Sequence, residues 1–312
     1  MLHFIWPLLY SYFRQFIKWF LHKTTQMCEL QRICYGQPSG ASRTLAIEKS
    51  LKLSRNVNIK LLISYLDNIA NKQMITMKSE RQILEGAIKT VLIVKKINPT
   101  VHPNFAKSFG KSVELIWGYK QLCAECEELR KVPYNAENPN HELLLLSLWN
   151  LLMPYESLSS RISKQWQSIG FQGEDPKTDF RGMGILGLEN LVYFAKEYPS
   201  VAAHVLSHSV HPHYGYAFAI VGINLTSMAL KLLKDGSAKS HIYNSSKTLP
   251  TIRTFHQLYC YLFYEFDGFW IESKPRNMME FSCIQEKFEN SIRMVLADSS
   301  AVLKINVSVD NI

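Results

Sequence analysis

The stretch that decides the fold is residues 170–191, "GFQGEDPKTDFRGMGILGLENL". Glycines at 182, 184 and 187 fit G-x-G-x-x-G, the spacing of a dinucleotide-binding loop. Such a loop needs an apolar strand before it and a βαβ unit around it. The residues before Gly182 are "GEDPKTDFR", polar and turn-forming, with no β-branched run ahead of them. The residues after Gly184 are helical in pattern: Ile185, Leu186, Leu188, Leu191, Val192 and Phe194 recur at the spacing of one helix face. The stretch therefore reads as a turn opening a helix. Asp175-Pro176 starts the turn, Asp179 is placed to cap the next element, and Arg181 lies at or just before the first helical turn. Glycine costs about 1 kcal/mol relative to alanine in a helix interior, so these glycines point to a backbone approached closely by a neighbouring helix or by a partner. From the residues alone, Arg181 either pairs with Asp179 at the surface or is held out for use.

Outward from this stretch the helical period continues. "SERQILEGAIKTVLIVKKI" begins with Ser79 and Gln82 at capping-box spacing. "NPNHELLLLSLWNLLMP" has Asn138 as N-cap, Pro139 at the first helical position and Pro154 as a stop. "SLSSRISKQWQSIG" predicts a short helix ending at Gly170. "YGYAFAIVGINLTSMALKLLKDG" predicts a long apolar helix ended by Gly236, and two amphipathic helices come after it. "YGQPSGASRT", 35–44, reads as a linker, and a second boundary falls near "VPYNAENPNH". The best strand candidate is "VLKINVSV", in a loose tail. The expected fold class is all-α and multi-helix, led by an amphipathic, hydrophobic amino-terminal helix.

That helix, "MLHFIWPLLYSYFRQFIKWFL", is the most apolar segment, but Arg14 and Lys18 interrupt it. Arg14, Lys18 and His22 share one face; Trp6, Tyr10, Phe13, Phe16, Trp19 and Phe20 supply aromatic bulk around it. The pattern suits a helix in the membrane interface, basic side toward the headgroups, with Trp6, Arg14, Lys18 and Trp19 as membrane residues. Packing on the domain's own core and true spanning are the rival readings. A signal peptide would carry its charge before the apolar run. Sequons at Asn224, Asn244 and Asn306 test the compartment, since a glycan there would place the domain in the secretory lumen.

The chain has 312 residues, 47% apolar and 20% charged, which is globular composition. A net charge of +9 favours acidic partners. No nucleic-acid module or aromatic-interleaved basic patch is present, and no nucleic acid is expected. Six cysteines are too few for a disulfide scaffold. Cys123 and Cys126 form one C-x-x-C without the second pair that zinc needs, and read as buried thiols on a helix. "FGKS" at 109–112 lacks the P-loop's first glycine, since Phe105 stands there. His208, His211 and His213 in "HSVHPH" read as a solvated loop rather than a metal site, and no metal is expected.

The run "RISKQWQSIGFQGEDPKTDFRGMGILGLENLVYF", followed by "GYAFAIVGIN", resembles the ELMO (engulfment and cell motility) domain, and within it the single-domain ELMOD group. "CELQRI", "GASRT", "INP" and "LWNLLMP" extend the resemblance over nearly the whole chain. It implies an ELMO domain at 137–300, preceded by an amino-terminal helix and junction at 1–34 and a helical region at 35–136, and followed by a tail at 301–312.

The resemblance implies a GTPase-activating protein for Arf-family small GTPases, Arf-like members included. The ELMOD group carries an arginine in the segment matching "DFRGMG", which falls on Arg181. Arg181 would act in trans on GTP and magnesium held by the partner, with no cofactor of the chain's own and no independent turnover. Support is expected from Asp179 orienting the guanidinium, Gln172 and Asp175 shaping the turn, and Gly182 and Gly184 clearing space. The rival functions are a membrane-bound adaptor that binds a GTPase without speeding hydrolysis and a lipid-binding protein led by the amino-terminal helix. The expected location is the cytosol and the cytoplasmic face of endoplasmic reticulum, lipid droplets or mitochondria.

Overall fold

The computed structural model describes residues 2–70 and 77–305, with side chains over 13–70 and 80–305. Every regular element among them is helical. The helices are α1 (Leu2–Thr25), α2 (Glu29–Gly36), α3 (Ala41–Lys52), α4 (Val57–Ala70), α5 (Met77–Val94), α6 (Pro103–Lys131), α7 (Pro139–Leu152), α8 (Gly184–Glu197), α9 (Pro199–Ser209), α10 (Phe218–Lys234), α11 (Lys239–Ser245), α12 (Ile252–Glu272) and α13 (Phe281–Leu296). Three 3-10 turns, Lys164–Ile169, Pro176–Arg181 and Met278–Glu280, lie between them. The all-α expectation is met.

Packing divides the chain into two compact units. One runs to Lys120 and takes in 247–249; the other begins at Gln121. In the first, Leu30, Cys34, Ile47, Leu84, Val91, Phe105, Phe109 and Trp117 form an apolar core. The linker expected at 35–44 is shorter than its composition implied. Helix α2 continues to Gly36 and α3 starts at Ala41, because Ala41 and Thr44 are buried and the Arg43 guanidinium donates to the Gln37 carbonyl at 2.9 Å. Ser79 does not open its helix, since α5 already runs from Met77.

In the second unit α8 is the hub, packed on α7, α9, α10, α12 and the Pro176–Arg181 turn. Leu186, Leu188, Leu191 and Phe194 of α8 are fully buried. Burying one such side chain contributes roughly 1.5–3 kcal/mol. Helix α7 starts as its sequence dictates: the Asn138 side chain accepts the Asn140 N–H at 3.0 Å and Pro139 takes the first position, where a missing N–H costs nothing. Gly170 sits at φ +84° behind the Lys164–Ile169 turn, and a Cβ there would lie 2.2 Å from the Phe218 nitrogen. This close approach seats the turn against the start of α10.

The carboxyl-terminal segment differs from its expectation. Residues 301–305 form no strand, yet they are not loose: Ala301 and Leu303 are buried, and the Leu303 N–H donates to His241 Nδ1 at 3.1 Å. The rest of "VLKINVSV", with the Asn306 sequon, lies outside the described residues. The Asn244 amide nitrogen, the atom a glycan would occupy, donates to the carbonyls of Ser299 and Ala301 at 2.9 and 3.1 Å. Asn224 lies within α10.

Candidate functional site

The Pro176–Arg181 turn is fastened at its start. Asp175 accepts the Lys177 N–H at 3.0 Å as N-cap and a nitrogen of Arg161 at 2.9 Å. Arg161 also donates through Nε to both oxygens of Glu142 on α7, at 2.9 and 2.8 Å, and lies against the Tyr134 ring. The Tyr134 hydroxyl donates to Glu142. Burial alone would raise the Asp175 carboxyl, but the Lys177 N–H and the Arg161 guanidinium outweigh it and hold the carboxyl below its ordinary range. The guanidinium is itself held charged: partial burial opposes the charge, and Glu142 and Asp175 overcome it. Nothing in the sequence pattern singled out Arg161, since its partners stand 14 and 19 residues away.

Beneath the turn runs a chain of aromatic rings. Trp149 meets Trp166 edge-on at 5.4 Å, Trp166 meets Phe171 at 5.7 Å, Phe171 meets Phe180 at 5.7 Å, and Phe180 meets Tyr134 at 5.6 Å. Trp149, Trp166 and Phe180 are at most 1% exposed. Both indole N–H groups are satisfied, by the carbonyls of Glu156 and Arg161. Edge-to-face pairs of this kind add about 0.5–1.5 kcal/mol each beyond area burial. Phe180 thus pins the backbone one residue before Arg181.

Arg181 itself is exposed and makes no hydrogen bond or ion pair among the described residues. The expected pairing with Asp179 does not form. The Asp179 carboxylate accepts the Gln172 backbone N–H at 3.0 Å, closing the 172–179 loop on itself. Burial pushes the Asp179 carboxyl up, and the Gln172 N–H and the Arg181 charge only partly offset it. Nor does Asp179 cap α8; Met183 holds that position without a side-chain bond. The Gln172 side chain is exposed, and Gln172 contributes its backbone N–H to the loop.

The three glycines divide by role. Gly184 has φ +53°, and a Cβ there would sit 2.3 Å from the Arg130 carbonyl oxygen and 2.4 Å from that of Val132. It lets α8 start against the end of α6, where the Ile185 N–H donates to the Val132 carbonyl. Gly187 is buried against Met183, Phe180 and Ile223. Gly182 is exposed with nothing near its missing side chain, so beside Arg181 the surface is open.

Other candidate residues fall elsewhere. The Trp19 side chain is 57% exposed, while Arg14 and Lys18 turn to Glu29 of α2. Trp6 lies outside the described side chains. Among the described residues no helix is long and apolar enough to cross a membrane. Burial raises the Cys123 thiol to about 11 and Cys126 further, so neither is a ready thiolate. His208 leaves the predicted loop: it lies in α9, with Nδ1 2.7 Å from Asp267 Oδ2 and the His204 ring 4.2 Å away. His211 instead stacks on Tyr214. The His204, His208 and Asp267 ligand atoms fall within 4.8 Å of one another, a grouping heralded only by the four-residue spacing of the histidines. Asp267 is occupied on both oxygens, since the Tyr216 hydroxyl donates to the other at 2.6 Å.

The ELMO/CED-12 family model matches residues 124–285, which include the turn, the aromatic chain and Arg181. ELMO domain-containing protein 2 of Bos taurus is 46% identical over 304 residues, covering 97% of this chain and 99% of that protein. The Homo sapiens protein of the same name agrees to the same extent. ELMO domain-containing protein B of Dictyostelium discoideum is 35% identical over 283 residues, covering 88% of this chain and 92% of its own. By the family match and by this near full-length identity, the chain belongs to the ELMO/CED-12 family.

Proposed function

We propose that this protein is a GTPase-activating protein for Arf-family small GTPases, Arf-like members included, and that Arg181 enters the partner's nucleotide site in trans. One observation carries the reading: an arginine with no hydrogen bond or ion pair among the described residues stands on a turn that is capped, ion-paired and backed by aromatic rings. An arginine retained only for solubility needs no such base.

The chemistry fits. GTP hydrolysis builds charge on the γ-phosphate and leaving-group oxygens, and an inserted guanidinium is worth roughly 10³–10⁵ in rate in known GTPase systems. Arginine stays charged and donates two hydrogen bonds in one plane; lysine keeps the charge and loses the fork. The open surface at Gly182 admits the partner. GTP and magnesium belong to the partner, and this chain brings no cofactor. The exposed Phe13, Phe16, Trp19 and Phe20 of α1 suit a membrane surface, and the matching location is the cytosol and the cytoplasmic face of endoplasmic reticulum, lipid droplets or mitochondria.

The test is hydrolysis by a panel of purified, GTP-loaded Arf-family proteins, with the intact chain and with Arg181→Lys. A loss of two orders of magnitude or more, with binding retained, supports the finger. Full stimulation by the folded variant rejects it. Binding without any stimulation by the intact chain would make the protein an adaptor.

A further inference from the structure

The first unit contains a cleft of about 870 Å³, within the range of small-ligand sites and unrelated to Arg181. Its wall is cationic. Arg14 and Lys18 come from α1, Arg32 from α2, and Lys49 from the end of α3. Arg55 precedes α4, and Lys95 and Lys96 follow α5. Among the described residues Glu29 is the one carboxylate in the lining. It is already engaged by Arg14 at 3.1 Å, by Lys18, and by the Ser50 hydroxyl at 2.6 Å. Seven permanent cations converging on a concave surface focus a positive field that one carboxylate does not cancel.

The remaining lining narrows the ligand. Among the described residues the apolar lining is aliphatic, Leu30, Leu51, Leu53, Ile59 and Val94; the His22 imidazole is its one ring, and no Phe, Tyr or Trp offers a base a stacking platform. The cations arrive from five separate segments around a compact volume, as fits several phosphates on one small scaffold. A phosphate monoester carries −1.5 to −2 charges near neutral pH and accepts several hydrogen bonds at once. The helix that supplies Arg14 and Lys18 also presents Phe16 and Trp19 outward, 60% and 57% exposed. Aromatic side chains of this kind settle at the headgroup level of a bilayer.

We propose that this cleft binds the multiply phosphorylated inositol headgroup of a membrane lipid, with α1 as the adjoining anchor. The proposal rests on no GTPase chemistry.

The experiment uses the full chain and phosphatidylcholine vesicles carrying phosphatidylinositol bisphosphate, against phosphatidylserine vesicles of equal total charge. Binding at least about tenfold tighter to the bisphosphate vesicles is expected. A triple variant, Arg55→Ala with Lys95→Ala and Lys96→Asn, should lose the preference with an unchanged thermal melt. None of the three side chains makes a hydrogen bond or ion pair among the described residues, the backbone N–H bonds of Lys95 and Lys96 survive the substitutions, and asparagine suits the φ of +53° at Lys96. Glu29→Gln should tighten binding by releasing two cations. Soluble inositol trisphosphate, followed by calorimetry, should bind the intact chain and not the triple variant. Trp19→Asp should weaken vesicle binding alone. Equal partitioning to both vesicle types would overturn the proposal, since charge alone would then explain it. Binding of inositol trisphosphate without any vesicle preference would overturn the lipid source and leave a soluble sugar phosphate as ligand.

Discussion

The Asp179 carboxylate accepts the backbone N–H of Gln172 at 3.0 Å and leaves Arg181, two residues on, without an ion pair or hydrogen bond among the described residues. An acid beside an arginine usually reads as its counter-ion. Here it closes the loop that presents the arginine. Asp179→Ala is therefore expected to reduce GTPase stimulation about tenfold by loosening the loop, while Asp179→Asn, which still accepts the N–H, retains most of it. Single-turnover hydrolysis with matched partner concentrations checks both.

Arg161 is the residue whose loss should spread furthest. Arg161→Met removes the shared partner of Glu142 and Asp175 and leaves two carboxylates near each other. Breaking a fully buried ion pair costs about 3–5 kcal/mol. The Arg161 side chain is 25% exposed, so a loss of about 2 kcal/mol is expected. Denaturant unfolding reads it, and stimulation should fall even where the variant remains folded.

The glycines give a contrast within three residues. Gly184→Ala forces a methyl onto two carbonyl oxygens at a positive φ and should destabilise the protein by about 3 kcal/mol or more. Gly182→Ala, in open space with φ −80°, should leave the melt unchanged or slightly raised. Gly182→Trp should also fold, and should block stimulation by filling the approach. Paired melts and hydrolysis assays separate the two roles.

Acid should weaken the second unit through two histidines. Burial lowers His241 from 6.5 to about 4, with Lys304 adding to it; burial alone lowers His256 to about 4. His241 Nδ1 accepts the Leu303 N–H, which requires it unprotonated there. Both folded values lie below the unfolded one, so the stability is fully present above pH 6.5 and is lost as pH falls toward 4. Unfolding at pH 7 and pH 5 should differ by on the order of 2 kcal/mol per histidine. A pH-independent unfolding midpoint would contradict the burial argument.

Much of this was readable in the residues, and the failures share a cause. Asn138-Pro139 and Gly170 announced their helix ends because caps are local. The Lys164–Ile169 turn was not separable from a short α-helix, since three- and four-residue periods scarcely diverge over so short a run. The composition of 35–44 suggested a linker, and burial of Ala41 and Thr44 overrode it. Arg161 and Asp267 were missed because their partners stand far away in the chain, and His204 because its spacing to His208 does not by itself mark a site. Asp175, Asp179 and Gln172 could be singled out beside Arg181 in the sequence, and Arg161 and Glu142, which fasten the turn from outside it, could not.

The chain of rings from Trp149 to Tyr134 has a kinetic consequence. A catalytic arm that must fold onto its partner draws on contact energy to become ordered, and so needs a tight complex. An arm standing on a solid base before encounter needs little. If Arg181 is the finger proposed above, acceleration is then uncoupled from affinity, and brief collisions suffice for turnover. On that reading, the GTPase that binds this protein most tightly need not be the one hydrolysed fastest, and capture alone would not rank candidates by hydrolysis.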